Sequence, residues 1–115
     1  MRPEHAQLLR EQFPELVPQN IRFECGDGWY AVLQKLLLDI ATHAVASGLN
    51  PTVVSVREKY GSLRVHLNED YPHIRDLLLD AENASEKICD ICGGPGTLID
   101  DGFWITTRCP THRRT

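Results

Sequence analysis

CDICGGPG, Cys89 to Gly96, is followed, with sixteen residues intervening after Cys92, by CPTH, Cys109 to His112. Whether these residues hold a metal, form a disulfide or make a redox centre decides whether the last quarter of the chain is a fold or a tail. A Cys89–Cys92 disulfide would close a very small loop and leave the CPTH spacing without a purpose. A thioredoxin-like pair needs its CxxC after a strand and at a helix start, where the dipole lowers the thiol pKa. Here a helical apolar pattern precedes the pair. C-x2-C-x16-C-x2-H is structural-zinc spacing, with Cys89, Cys92, Cys109 and His112 as a closed tetrahedral set. The glycines after Cys92 let the backbone turn tightly and aim N–H groups at the thiolate sulfurs. Four protein ligands leave no open position, so the Zn²⁺ is expected to be structural and not catalytic.

Between the two ligand pairs, TLIDDGFWITTR (Thr97 to Arg108) predicts two short β stretches around Asp100-Asp101-Gly102, a hairpin that returns Cys109 to the first pair. Three thiolates, a neutral imidazole and Zn²⁺ sum to −1. Arg108, Arg113 and Arg114 are close enough in sequence to offset that charge, or else form an ordinary solvated tail. Before Cys89, Pro72 is pre-set for a first helical turn. HIRDLLLDAENASEKI then places Ile74, Leu77, Leu78, Ala81 and Ile88 on one stripe and delivers the chain to Cys89.

TVVSVREKYGSLRVHLN, Thr52 to Asn68, alternates with period two, and Gly61-Ser62 suits the centre of a tight hairpin turn. That turn sets Tyr60 opposite Leu63, Glu58 opposite Val65 and Val56 opposite Leu67 on one side. Lys59 then faces Arg64, and Arg57 faces His66, on the other. Arg57, Lys59, Arg64 and His66 therefore form a basic cluster whose like charges cost free energy when directly opposed. Phosphate oxygens or an acidic protein surface would offset that cost, as would pairing within the chain to Glu69, Asp70, Asp76 or Asp80. Tyr60 and Trp104 have the chemistry for stacking but read first as core or hairpin packing.

The helix after GDGW has the clearest periodicity: Trp29, Val32, Leu33, Leu36, Leu37, Ile40, Ala41 and Ala44 recur at helical spacing. Asp27 is placed as its N-cap, and Gly48 with Leu49-Asn50-Pro51 is a stop signal. IRFEC, Ile21 to Cys25, alternates as a strand. Arg2 to Phe13 predicts a short helix with Leu8, Leu9 and Phe13 inward, ended by Pro14 and Pro18. Cys25 beside a helix start has the setting of a nucleophile, but no histidine lies near it in sequence, so it reads as a buried, inert cysteine. His5, His43, His66 and His73 have no partner at ligand spacing. Phosphate loops, nucleophile elbows and spaced carboxylate pairs are missing, so the chain is expected not to be an enzyme and to bind no small-molecule substrate.

With 115 residues, 42% of them hydrophobic and 24% charged, one modest core can be filled. A net charge of −4 argues against coating nucleic acid through bulk charge, though not against a local basic patch. The charged N-terminal stretch lacks the apolar block of a signal peptide and no long apolar run follows, so no membrane association and a cytoplasmic location are expected. Thiols stay reduced there, which favours ligands over disulfides. The expected architecture is α+β: two long helices packed on a small antiparallel β-hairpin or sheet, with a C-terminal zinc-ribbon-like or truncated treble-clef-like hairpin. Residues 1–87 form the core domain and 88–115 the zinc-binding module, packed on it.

ECGDGW, VREKYGSLRVHL and CDICGGPG with CPTH, together spanning roughly Phe23 to His112, resemble a set of small, mostly uncharacterised proteins of bacteria and their phages and prophages. His112 stands as last ligand where a cysteine also suits such modules. The resemblance implies an accessory protein, in a bacterial cytoplasm, that inhibits or modulates a host factor such as defence machinery. On that basis the expected function is non-enzymatic binding of a host macromolecule, protein ahead of nucleic acid, through Arg57, Lys59, Arg64 and His66 and the zinc module. A nucleic-acid-binding regulator using the basic hairpin face is the alternative.

Overall fold

The computed structural model describes residues 1–113 and contains, among them, three α-helices and two small sheets. Helix α1 (Pro3–Gln12) buries Ala6 and Leu9, and Phe13 closes it against the core. Leu8, expected inward, is half exposed, because it sits one step away from the Leu9 stripe. Strand β1 (Phe23–Glu24) leads through a single 3₁₀ turn, Asp27–Trp29, into α2 (Tyr30–Ser47). Strands β2 (Val53–Lys59) and β3 (Ser62–Leu67) form a hairpin, α3 (Pro72–Ser85) follows, and β4 (Thr97–Asp100) and β5 (Ile105–Arg108) make a second hairpin before a last 3₁₀ turn, Pro110–His112.

Helix α2 is the centre of the molecule. Leu33, Leu36, Leu37 and Ile40 are buried along it, with Trp29 at its start fully enclosed. It ends at Gly48, whose φ of 67° lets the Leu49 N–H fold back 2.9 Å onto the Ala44 carbonyl. Asp27 does not cap it. The carboxylate instead accepts the Arg2 backbone N–H at 3.1 Å and lies 2.7 Å from His5 Nδ1, tying α1 to the turn. Tyr30 stacks on the His5 ring at 4.3 Å.

The three-stranded sheet has the order β1-β2-β3 and is mixed, not antiparallel throughout: β1 pairs parallel with β2, Phe23 opposite Val56. A parallel pair needs a crossover connection, and α2 supplies it. The β2–β3 register also departs from expectation. Lys59 faces Ser62, Glu58 faces Leu63, Arg57 faces Arg64 and Val56 faces Val65, so Tyr60-Gly61 is the two-residue turn. Both turn residues have positive φ, 53° at Tyr60 and 80° at Gly61, the signature of the tight turn whose twist matches paired strands. The shift is by two, so each side chain keeps its face: Val56, Leu63 and Val65 turn to the core, and the cations turn away.

Helix α3 starts on Pro72 and buries Ile74, Ala81 and Ser85. It stops at Ser85, short of Cys89. Successive backbone turns, Lys87 N–H to Ala84 O and Ile88 N–H to Ser85 O, carry the chain onward. Ser85 Oγ accepts the Leu63 N–H at 2.9 Å, which fixes this helix end to β3. No helix among the described residues is long and apolar enough to cross a membrane.

Candidate metal centre

Two backbone pieces bring the four sequence-predicted ligands together. In the first, the Cys89 N–H donates to Gly94 O at 2.8 Å, the Gly93 N–H donates to Cys89 O at 3.0 Å, and Ile88 bridges to Pro95. This tight knuckle points Cys89 and Cys92 the same way. In the second, β5 pairs with β4 (Thr97 opposite Arg108, Asp100 opposite Ile105) and delivers Cys109 to the knuckle, while the Pro110–His112 turn brings His112 round. Among the described residues, Cys89, Cys92, Cys109 and His112 place their donor atoms all within 4.8 Å of one another.

The spacing fits a small tetrahedral ion. With metal–sulfur bonds of about 2.3 Å and metal–nitrogen bonds of about 2.1 Å, the edges of a tetrahedron are about 3.8 Å between sulfurs and about 3.6 Å from sulfur to nitrogen. Cys92 Sγ to Cys109 Sγ is 3.8 Å and Cys89 Sγ to His112 Nδ1 is 3.6 Å. Cys109 Sγ to His112 Nδ1 is shorter, at 3.1 Å. Three soft sulfurs and an imidazole nitrogen are a donor set for zinc or another thiophilic metal, not for calcium or magnesium.

The surroundings favour thiolate at Cys89, whereas at Cys92 the Gly94 N–H is outweighed by burial and by the neighbouring Cys89 and Cys109 sulfurs, which push that thiol up. Burial of Cys89 acts to raise its thiol pKa, but the backbone N–H groups of Cys92, Cys109 and Ile91, with the Cys92 thiol, outweigh it and bring the value to about 6. The Gly94 N–H reaches Cys92 Sγ at 3.4 Å, as the glycines in the motif predict. Arg108, expected to offset site charge, pairs with Asp90 at 3.2 Å, and both side chains are largely buried. Arg113 is exposed. Arg114 lies outside the described residues.

Two further stretches of the sequence, ECGDGW and EKYGSLR, turn out to be the seat of this cluster. In ECGDGW, the Gly28 N–H donates to Asp90 O at 2.9 Å, and Trp29 Nε1 donates to Ile88 O at 2.8 Å. A methyl group on Gly28 would stand 2.1 Å from Cys89 O, and one on Gly26 would stand 1.9 Å from Asp90 O. In EKYGSLR, the Gly61 carbonyl accepts the buried Thr107 hydroxyl at 2.6 Å, and Leu98 lies against the Gly61 Cα. Both motifs are contact surface for residues 88–113. Sequence reasoning missed this, because nothing local in either stretch names its partner.

The basic hairpin face is real but partly committed. Arg57 and Arg64 are directly opposite. Arg64 is paired with Glu82 of α3 at 3.0 Å, and His66 Nδ1 lies 3.1 Å from Ser55 Oγ. Glu82 takes the place of the acidic residues expected to pair within the chain. Arg57 and Lys59 are exposed, the Lys59 ammonium lying 5.7 Å from the Tyr60 ring centroid. Cys25 is buried, and burial first, with the charges of Asp90, Asp27 and Glu58 adding, pushes its thiol up to about 11. Tyr60 and Trp104, expected as packing residues, are 65% and 74% exposed. Both sit at hairpin tips, beyond the reach of the core.

No protein-family model, curated protein or solved structure matches the chain.

Proposed function

We propose that this chain is a non-enzymatic, zinc-stapled accessory protein that binds a macromolecular partner, a protein ahead of a nucleic acid. Cys89, Cys92, Cys109 and His112 would hold the ion in a zinc-ribbon-like hairpin. When bound, zinc supplies folding free energy and no reacting position, since four protein donors complete its tetrahedron. The observation that carries this reading is the four-donor set, its atoms all within 4.8 Å of one another, with two edges at tetrahedral length, 3.8 Å and 3.6 Å, and one short at 3.1 Å. A metal placed in this way braces a surface. The buried, high-pKa Cys25 offers no competing nucleophile. The resemblance to small phage and prophage proteins adds the biological setting: modulation of a bacterial host factor, defence machinery included.

The contact surface is the exposed side of β2 and the adjoining metal hairpin. Elemental analysis tests the first half, with one zinc per chain expected and none fatal to the reading. For the second half, the zinc-loaded protein is used to capture partners from host lysate with and without nuclease. Stoichiometric protein binding that survives nuclease and moderate salt supports the reading. Binding that disappears with nuclease, falls steeply with salt and is lost on Arg57→Glu/Lys59→Glu assigns the nucleic-acid alternative instead.

A further inference from the structure

We infer that the tip of the β4–β5 hairpin, Phe103 and Trp104 beside Asp100 and Asp101, is a docking element for a protein surface that offers an apolar pocket edged by arginine or lysine. The proposal rests on the protein-binding reading above and specifies the partner's chemistry.

Phe103 is 91% exposed and Trp104 stands out beside it. Large aromatic side chains bury readily, and two adjacent ones left in water add nothing to this core. The tip that carries them is nonetheless built. Asp101 accepts the backbone N–H groups of Phe103 at 3.0 Å and Trp104 at 2.7 Å, its own N–H donates to Trp104 O at 3.2 Å, and Asp100 accepts the Gly102 N–H at 2.9 Å. Two rings are thus presented on a hydrogen-bonded turn, so little backbone entropy remains to be lost when a partner covers them. Aromatic anchors of this kind are the usual centres of protein–protein binding energy.

Charge selects the occupant. The Trp104 and Phe103 N–H groups hold the Asp101 carboxyl below the ordinary carboxylate range, and the Asp100 carboxylate stands beside it on the same tip. Phosphate surfaces, whether single-stranded nucleic acid or an anionic bilayer, would meet those anions with repulsion. A pocket edged by guanidinium or ammonium groups would meet them with attraction, steering encounter as well as holding the complex.

A random peptide library displayed on phage and selected on the zinc-loaded full chain tests this. Selected peptides are expected to combine apolar residues with flanking Arg or Lys. Their binding should weaken at least about tenfold in Phe103→Ser/Trp104→Ser and several-fold in Asp100→Asn/Asp101→Asn, which keeps the turn's acceptor oxygens. Zinc content should be unchanged in both variants. Trp104 emission should shift to the blue on binding, against a constant background from buried Trp29, the other of the two tryptophans. Acidic or uncharged peptides, or binding that survives the serine changes and is lost only on Arg57→Glu/Lys59→Glu, overturn the tip and leave the protein-binding reading standing. A blue shift with anionic vesicles or a single-stranded oligonucleotide in place of basic peptides also overturns the tip. An empty selection overturns the tip and leaves the protein-partner reading to be decided by the lysate capture.

Discussion

The backbone N–H of Gly28 donates to the carbonyl of Asp90 at 2.9 Å, so the residue next to Cys89, the first of the four clustered donors, is held by the turn that starts the central helix. The two backbones meet there without side chains between them. The Cβ of Gly28→Ala would stand 2.1 Å from Cys89 O and 2.6 Å from Gly93 N, and both obstacles are backbone. Overpacking of this kind costs about 3 kcal/mol, which lowers Tm by roughly 10–15 °C in a chain of this size. Zinc affinity should fall with it, because the displaced carbonyl belongs to a ligand. Gly48→Asn is the control: its Cβ meets nothing within 4 Å, and asparagine tolerates the helix-ending conformation, so its Tm should change by only a few degrees. Calorimetry on the three proteins decides the matter.

Metal removal should separate the two halves of the chain. Helices α2 and α3 pack on the three-stranded sheet through Leu33, Leu37, Val56 and Ile74, none of which belongs to the four-donor Cys/His cluster. Chelation should leave most far-UV helical signal while residues 88–113 lose order, an effect on the order of 10 kcal/mol locally. Thiol counting reads this directly. Cys89, Cys92 and Cys109 should be protected with zinc and react promptly after chelation, whereas Cys25, buried with its pKa pushed up to about 11, should lag in both states at neutral pH. Prompt labelling of four thiols in the zinc-loaded protein would contradict this.

The Thr107 hydroxyl is a second tie between the halves, donating at 2.6 Å to the Gly61 carbonyl with both groups buried. Thr107→Val keeps the shape and leaves that carbonyl without its donor, a loss of about 1–3 kcal/mol. Thr107→Ser keeps the donor and gives up one methyl, about 1 kcal/mol. Valine should therefore melt below serine. The opposite order would mean that packing, not the hydrogen bond, holds the hairpin to the turn.

What the sequence made legible follows from how far each signal reaches. Periodicity is local, so the buried stripe Leu33-Leu36-Leu37-Ile40 and the Gly48 stop were readable, and ligand spacing alone located the cluster of Cys89, Cys92, Cys109 and His112. Long-range matches were not readable. Nothing in ECGDGW announces that Gly26 and Gly28 lie under Asp90 and Cys89, and nothing in IRFEC announces a parallel partner in β2. Asp27 has an N-cap's position, yet its Oδ1 is taken by the Arg2 N–H and by His5 Nδ1, at the start of a helix more than twenty residues away. The exposed Trp104 was misread for the same reason. Tryptophan is usually buried, and only the fold reveals that the β4–β5 tip extends past the core.

The hairpin turn shows the same override and yields a prediction of opposite sign. Gly61 marks the turn, but tyrosine, not glycine or asparagine, occupies the first central position, with φ at 53°. A side chain with a Cβ costs about 1–2 kcal/mol in that region, and asparagine avoids much of the cost. The turn is held in place regardless, because Gly61 lies against Leu98 and accepts the Thr107 hydroxyl, and Glu58 accepts the Gly61 N–H at 2.7 Å. Tyr60→Asn should therefore stabilise. The exposed Lys59–Tyr60 contact it removes is worth about 0.5 kcal/mol, which leaves a net gain of about 0.5–1 kcal/mol and a Tm rise of a few degrees. Gly61→Ala should do the reverse, and by more, since its Cβ would stand 2.5 Å from Leu98 Cδ1 at a φ of 80°. Thermal melts of the two variants against the parent check both signs. If Tyr60→Asn destabilises by more than the lost Lys59 contact, the tyrosine ring is doing something at that tip other than filling a strained position.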